Sequence, residues 1–475
     1  MTISFSEVPE ANLTPGFHSE VDTSNLSGGV TTKTVLIIGY SPTGPQLVPT
    51  LVQGDGQWPR NSQLGRMIRA YRRNHSTVTI YAIAISPPAG GAPAIGTLTV
   101  SGTATQSGTL SIWVGGKRIQ VGVNNGDSAT VVAAAIEAAI DADPDVLAGA
   151  GAVGAVVTVT TDSNGAVYND LGLAVDPKET ERGVDGISVA VVGFAGGAGD
   201  PTITDALDLV PGEKYSSIIV GFRDATTLTA LEQEMVRRWQ ATVELGGHAF
   251  VGAPGTLAEM VTIGSARNAE HLTVMGSSNS QTPWWEWAAA AGARNTGKSN
   301  PVIGHSDLPL TGMDAPEISG RFDKSERDTL LKNGVSTFRV SGGGVVLDRI
   351  VTTKTERDGA EDFTELPITL WRTIETLREI WTQRIRRKYQ NFAIASAPDV
   401  QPTASARILT PTSLRAEAVT WFREMRALGY VQDEELFRSQ LNTAVNGLDP
   451  NRMDAFLPLN LIKELVTIAS VVSVR

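Results

Sequence analysis

The octet Gly292-Ala293-Arg294-Asn295-Thr296-Gly297-Lys298-Ser299 fits the spacing G-x-x-x-x-G-K-[ST]. A loop so spelled can wrap phosphates with backbone N–H groups, reach them with its lysine and hold Mg²⁺ through its hydroxyl. That chemistry needs a buried strand before the loop and a helix that begins at the lysine, so that a positive helix end faces the phosphates. The flanking residues supply neither. Thr282-Pro283, three tryptophans around Glu286 and then four alanines predict a short helix over 283–291, entered by proline and closed by Gly292 as its C′ glycine. Downstream, Asn300-Pro301 disfavours helical geometry after the lysine. The octet is therefore expected to be a polar surface loop. A P-loop-type nucleotide-binding enzyme is the alternative reading.

Other chemistry is thin. Cysteine is absent, which removes disulfides, thiolate metal sites and thiol nucleophiles together. The five histidines, His18, His75, His248, His271 and His305, stand far apart in sequence with no HExxH, and His305-Ser306-Asp307 reads as structural. Neither a metal nor a cofactor is expected. Gly221-Phe222-Arg223-Asp224, Gly252–Gly255 and Gly276–Asn279 have the composition of strand-end loops, where open parallel sheets bind ligands. Only Arg223 and Asp224 bring charge there, and turn chemistry explains the glycines. Gly193–Gly199 is a broken dinucleotide-loop spelling and reads as a linker. Arg384, Arg386, Arg387 and Lys388 end a long helix and suit its C-terminal dipole, or a contact with an acidic partner surface.

The elements around these residues predict a mixed α/β chain of several domains; 475 residues suggest about two to four. Thr34–Gly39 and Val78–Ile85 read as strands with a helix near Ser62–Arg73 between them. From Pro87-Pro88 to about Asp200 the sequence loses charge and gains Gly, Ala, Val and Thr. Strands are expected there at 97–100, 108–114, 117–123, 156–161 and 187–193, with a hairpin turn at Gly115-Gly116 and an Ala-rich helix over Ser128–Asp141. Glycine clusters at both edges mark this segment as a domain inserted into another. Strands and helices then alternate, which implies a parallel sheet covered on both faces: Ser217–Phe222, a helix through Leu228 to Val243, His248–Gly252, a helix capped at Thr256, and His271–Gly276. Helices follow at Ser325–Lys332, at Ile368–Lys388 with Leu370, Ile374, Leu377, Trp381 and Ile385 inward, and at Ser413–Leu428. The expected divisions are 1–30 (arm and first strand), 31–88 (core), 89–200 (inserted β-rich domain), 201–459 (core) and 460–475 (terminal strand).

Both ends alternate with period two. Ile3 and Phe5 share one face, as do Val466, Ile468, Val472 and Val474. The net charge of −11 argues against a nucleic-acid binder. No secretory signal or membrane span is expected.

Several stretches together resemble the tail sheath proteins of contractile-tailed phages, specifically the Mu-type sheath family. Ile3-Ser4-Phe5, Pro15-Gly16-Phe17 and Glu20-Val21-Asp22 are similar to its opening arm. Ile112–Val121 and the Ala-rich helix resemble its inserted outer domain. Arg321-Phe322, Glu326–Gly334, Thr337–Val340 and Val345–Thr353 resemble its core, and Asp449–Asp454 with Leu457-Pro458 the approach to its C-terminal strand. The resemblance implies a structural subunit without catalytic residues. It would polymerise as stacked rings around a tail tube and contract to drive the tube through a bacterial envelope. Implied partners are further copies of itself, the tube protein, and baseplate and terminator proteins. Implied localisation is the virion, after assembly in the host cytoplasm; a phage-derived contractile particle is equally compatible. On this reading the two terminal strands add to a neighbour's sheet, and Arg415, Arg423 and Arg426 are candidates to face an acidic tube.

Overall fold

The computed structural model describes residues 33–396 and 407–471. Ile3 and Phe5 of the opening arm, its strand around 17–21, and Val472 and Val474 lie outside the described residues.

An eight-stranded sheet forms the centre, in the order Gly344–Arg349, Val335–Ser341, Leu272–Ser278, His248–Pro254, Ser217–Val220, Thr34–Tyr40, Thr79–Ile85, Thr50–Leu51. The inner six strands are parallel, and an antiparallel strand closes each end. Ser-Ile-Ile-Val at 217–220 and the run 272–278 are buried at every position. This follows from a parallel sheet covered on both faces, whose strands need no polar side. Helix Gln63–Asn74 is capped by Ser62, which accepts from the Gly65 N–H. The Thr256/Glu259 and Asp323/Glu326 capping boxes open helices Leu257–Ser265 and Lys324–Lys332.

The segment between Thr79–Ile85 and Ser217–Val220 forms two antiparallel sheets of four and three strands around helix Ala129–Asp141. Its entry and exit meet, because Ala92 and Ala198 exchange two backbone hydrogen bonds of 3.0 Å. Gly115 and Gly116, at φ +52° and +79°, make the expected hairpin turn. Strands Ala148–Val153 and Leu173–Val175 escape the pattern; the first reads Ala-Gly-Ala-Gly-Ala-Val and carries no alternation. Tyr168 of this unit is buried against Tyr40 and Trp285 of the central one.

Helix Ile368–Tyr389 leaves the central sheet and enters a small second core made by Leu377, Ala418, Trp421, Phe422, Met425, Val431 and Phe437. Its inward face differs from expectation. Ile368, Thr369, Arg372, Thr373 and Leu377 are buried, whereas Leu370, Ile374, Trp381 and Ile385 are half-buried. The helix bridges two cores, so no one apolar stripe is covered along its whole length.

Candidate assembly interface

The phosphate-loop octet folds differently from the sequence expectation. The helix does not stop at Gly292; it runs Trp284–Gly297, buried through most of its length. Gly292 is there for close approach. A Cβ at that position would sit 2.9 Å from Ile219 Cδ1 and 3.4 Å from Phe250 Cδ2, so the missing side chain lets the helix lie down on the sheet. Most of the octet is therefore buried helix, not surface loop. Its polarity is also the reverse of a phosphate cradle. Lys298 is the C-cap, and the end carbonyls face cations: Lys33 Nζ donates to Thr296 O at 2.7 Å and Lys298 O at 2.9 Å, and Arg372 Nη2 donates to Lys298 O at 3.0 Å. A helix C-terminus repels anions.

The floor of the crevice where open sheets take ligands is occupied by a side chain, with a cavity of about 160 Å³ left beside Phe222, Arg223 and Asp224. The crevice lies between Thr34–Tyr40 and Ser217–Val220, where the strand order turns back. Buried Gln63 accepts from the Tyr40 N–H at 2.8 Å and donates to Gly221 O at 2.6 Å. Arg223 donates to Asp170 of the inserted unit at 2.6 Å, and Asp224 caps its helix through the Thr227 N–H.

The remaining candidates lie in the C-terminal unit. Helix Pro411–Ala427 begins with a Thr410/Ser413 capping box and proline in its first turn. Leu414, Ala418, Trp421, Phe422 and Met425 form its buried face, so Arg423 and Arg426 project outward. Both meet Glu434, at 2.7 and 2.9 Å, and keep more than half their side-chain surface exposed. Hydrogen bonding from Arg423 is the main cause holding the Glu434 carboxyl below its usual range. Arg415 is used differently: its guanidinium donates to the carbonyls of Leu441 and Arg438 and closes the end of helix Glu434–Gln440. At the end of the long helix, Arg384 and Lys388 both donate to Glu417. Burial alone would push Glu417 up, but these bonds more than offset it and hold the carboxyl low.

The C-terminal segment is tethered at its root and exposed over residues 465–471. Asn460–Leu461 pairs with Val431–Gln432 inside this chain. Glu464 then accepts from Arg349 Nη2 at 2.6 Å and from Thr369 Oγ1 at 3.0 Å. Past it the apolar side chains are exposed among the described residues: Val466 is 57% exposed, Ile468 78% and Val471 96%. Beside it, Leu377, Trp381, Trp421, Leu457, Leu459 and Leu461 line an apolar cleft of about 380 Å³. The hairpin Asn442–Val445/Met453–Phe456 is a sheet of two strands.

Sequence reading missed the cluster that fixes the long helix. His271 stacks on Trp239 at 4.1 Å between ring centroids and meets Trp371 of the helix edge-on at 4.6 Å. His248 lies 6.4 Å from His271, and Arg372 approaches His305 Nε2 at 3.4 Å. Burial pushes His271 down to about 3, and His248 and His305 also fall well below the usual imidazole value. Residues scattered over some 130 positions carry no spacing signal; only the sheet brings them together.

A profile of the phage tail sheath protein central domain matches residues 196–353, the stretch that builds the second half of the central sheet. Along 98% of both chains, the sequence is 28% identical to the Mu-like prophage FluMu tail sheath protein of Haemophilus influenzae. Residues 196–353 thus form a phage tail sheath central domain, in a chain similar to a tail sheath protein along nearly its whole length. Crystal structures of sheath tail proteins from Desulfitobacterium hafniense and Listeria innocua are each 12% identical to it. Their TM-scores are 0.47 and 0.49, over 95% and 90% of this chain and 100% and 92% of theirs. The chain's central domain is that of a phage tail sheath, a structural subunit. Nucleotide chemistry at Lys298 has no support in those similarities or in the geometry of the octet.

Proposed function

We propose that the subunit polymerises into a sheath through its terminal segments, each adding a strand to a neighbouring subunit, and that the sheath surrounds a tail tube and contracts to drive it. The observation that supports this most is the C-terminal segment: fixed at Glu464 and exposed throughout the described residues 465–471, Val466 and Ile468 among them. An extended segment carries N–H and C=O groups that a sheet edge can pair, and the two-stranded hairpin at 442–456 offers such an edge. The N-terminal arm, with Ile3 and Phe5, is assigned the same role from its alternation. Arg423 and Arg426, with Arg415 behind them, are the residues we assign to an acidic tube. Baseplate and terminator proteins complete the partner set, and assembly takes place in the host cytoplasm. The test is negative-stain microscopy of the purified chain beside a variant ending at Leu465. The full chain is expected to give rings or hollow tubes and the variant folded monomers. Tubes from the truncated chain would overturn the strand-addition mechanism.

A further inference from the structure

Between helix Gln63–Asn74 and the Gly115-Gly116 turn of the inserted unit lies a cavity of about 130 Å³, for which sheath assembly has no evident use. Five cations line it, Arg60, Arg66, Arg69, Arg73 and Lys117, against two carboxylates, Asp145 and Glu286. The carboxylates are already engaged. Arg66 Nε donates to Glu286 at 2.6 Å, Arg60 Nε lies 3.0 Å from Asp145, and Lys117 is shared between Asp143 at 3.2 Å and Asp145 at 3.4 Å.

Two donors are left over. Arg66 is only 9% exposed, and its Nη1, beside the Gly115 turn, has no hydrogen-bond partner among the described residues. Arg69 donates through Nη2 to the Arg60 carbonyl, while its buried Nη1 also has no partner there. A buried donor without an acceptor is costly, and more so when it is charged. Burial pulls the Arg69 guanidinium below its ordinary value despite Glu286 nearby. Water could accept from these two NH2 groups but would leave the excess positive charge in place. A compact group made only of acceptors meets both needs, because guanidinium forks bind oxyanions through paired, charge-assisted bonds.

We propose that this cavity is a binding site for a small oxyanion of the phosphate or sulfate class, held by Arg66 and Arg69 and flanked by Arg73 and Lys117. Its position gives it a task. The cavity touches the central unit through helix Gln63–Asn74, the inserted unit through Lys117, and the start of helix Trp284–Gly297 through Glu286. A bound anion joins the three and sets how firmly the inserted unit is held.

The probe is inorganic phosphate, titrated calorimetrically into the full-length subunit with ionic strength held constant by sodium chloride. Saturable one-to-one binding is expected, with a rise in unfolding temperature in phosphate or sulfate over equal ionic strength of chloride. Arg69→Gln should weaken binding by about tenfold or more, the loss of a charge-assisted bond. Arg66 stays intact so that Glu286 is not orphaned. Should Arg69→Gln fail to fold, Arg73→Gln combined with Lys117→Gln is expected to show the same weakening. The exposed Arg386→Gln should bind like the parent. Absence of saturable heat, equal unfolding temperatures in phosphate and chloride, or unchanged affinity in the cavity variants would overturn the assignment.

Discussion

The double substitution Val466→Ser/Ile468→Ser separates a role in assembly from a role in folding. In the isolated subunit the two side chains are 57% and 78% exposed and lie beyond the Glu464 tether. Their removal should therefore change monomer stability by no more than about 0.5 kcal/mol, as for other surface positions. In a neighbour's sheet the exposed fractions would be buried. At about 2 kcal/mol for a whole side chain of this size, those fractions are together worth about 3 kcal/mol. That corresponds to a rise of about a hundredfold in the critical concentration for polymerisation, since about 1.4 kcal/mol is a factor of ten. The assay is sedimentation of a concentration series, beside urea unfolding of the dilute monomer. A critical concentration that moves less than about threefold, a shift of roughly 0.6 kcal/mol, would refute the reasoning. So would a loss of more than about 2 kcal/mol in the monomer, well beyond what exposed positions contribute.

Charge reversal at the arginines sharing Glu434, Arg423→Glu with Arg426→Glu, is expected to leave the subunit folded and to weaken co-sedimentation with tube protein, most strongly at low salt. Co-sedimentation equal to the parent's would remove both from the interface. Joining residues 88 and 201 through a short glycine linker should give a soluble central unit that still unfolds cooperatively, because Ala92 and Ala198 already lie side by side. It should be less stable than the parent, since Tyr40 and Trp285 lose the Tyr168 ring, and a near-ultraviolet spectrum without fixed tertiary signals would show the division misplaced. Acid should loosen the root of the long helix. His271 sits at about 3 when folded against an ordinary value of 6.5, so between these the unfolded chain binds the extra proton. The stability it contributes is complete above about pH 6.5 and falls as the pH drops towards about 3, by up to about 1.4 kcal/mol per unit. Unfolding midpoints of His271→Phe should accordingly fall less steeply over that range than the parent's, and parallel curves would count against the assignment.

What the sequence disclosed, and what it withheld, follows from the range of the forces involved. Ser217–Val220, Leu272–Ser278 and the Thr256/Glu259 cap were legible because continuous burial and capping leave local signatures. The end of helix Trp284–Gly297 was not legible. A glycine after four alanines has the local form of a stop, but here it is needed for contact with Ile219 and Phe250, more than forty residues upstream. The octet's spelling likewise says nothing about which end of a helix it occupies, and that end decides between cradle and cap. Arg415 shows the same limit. A basic residue on a helix face looks available until helix Glu434–Gln440 folds back and takes its hydrogen bonds. The cavity between Arg66 and Arg69 was invisible for the opposite reason. Its cations come from helix Gln63–Asn74, from Arg60 just before it, and from the Gly115-Gly116 hairpin, and no spacing rule joins them.

The root of the C-terminal segment also determines where a pull on that segment would be felt. Tension applied beyond residue 465 meets Glu464 first. Its carboxylate is held by Arg349, on the end strand of the central sheet, and by Thr369, in the first turn of the long helix. Three residues earlier, Asn460–Leu461 is laddered to Val431–Gln432 of the small unit. The load thus enters both cores, and the base of the helix that connects them, together. That helix is held at its base by the His271–Trp371 contact, by Arg372 on the carbonyl of Lys298, and by Glu375 accepting from the Gly247 N–H at 2.8 Å. A residue that resembled a nucleotide-binding lysine therefore lends its backbone to the joint between the two cores. If a neighbouring subunit takes up the terminal strand, the pull arrives at parts of each core that are already braced, and the domains can move as rigid bodies while the strand keeps its ladder.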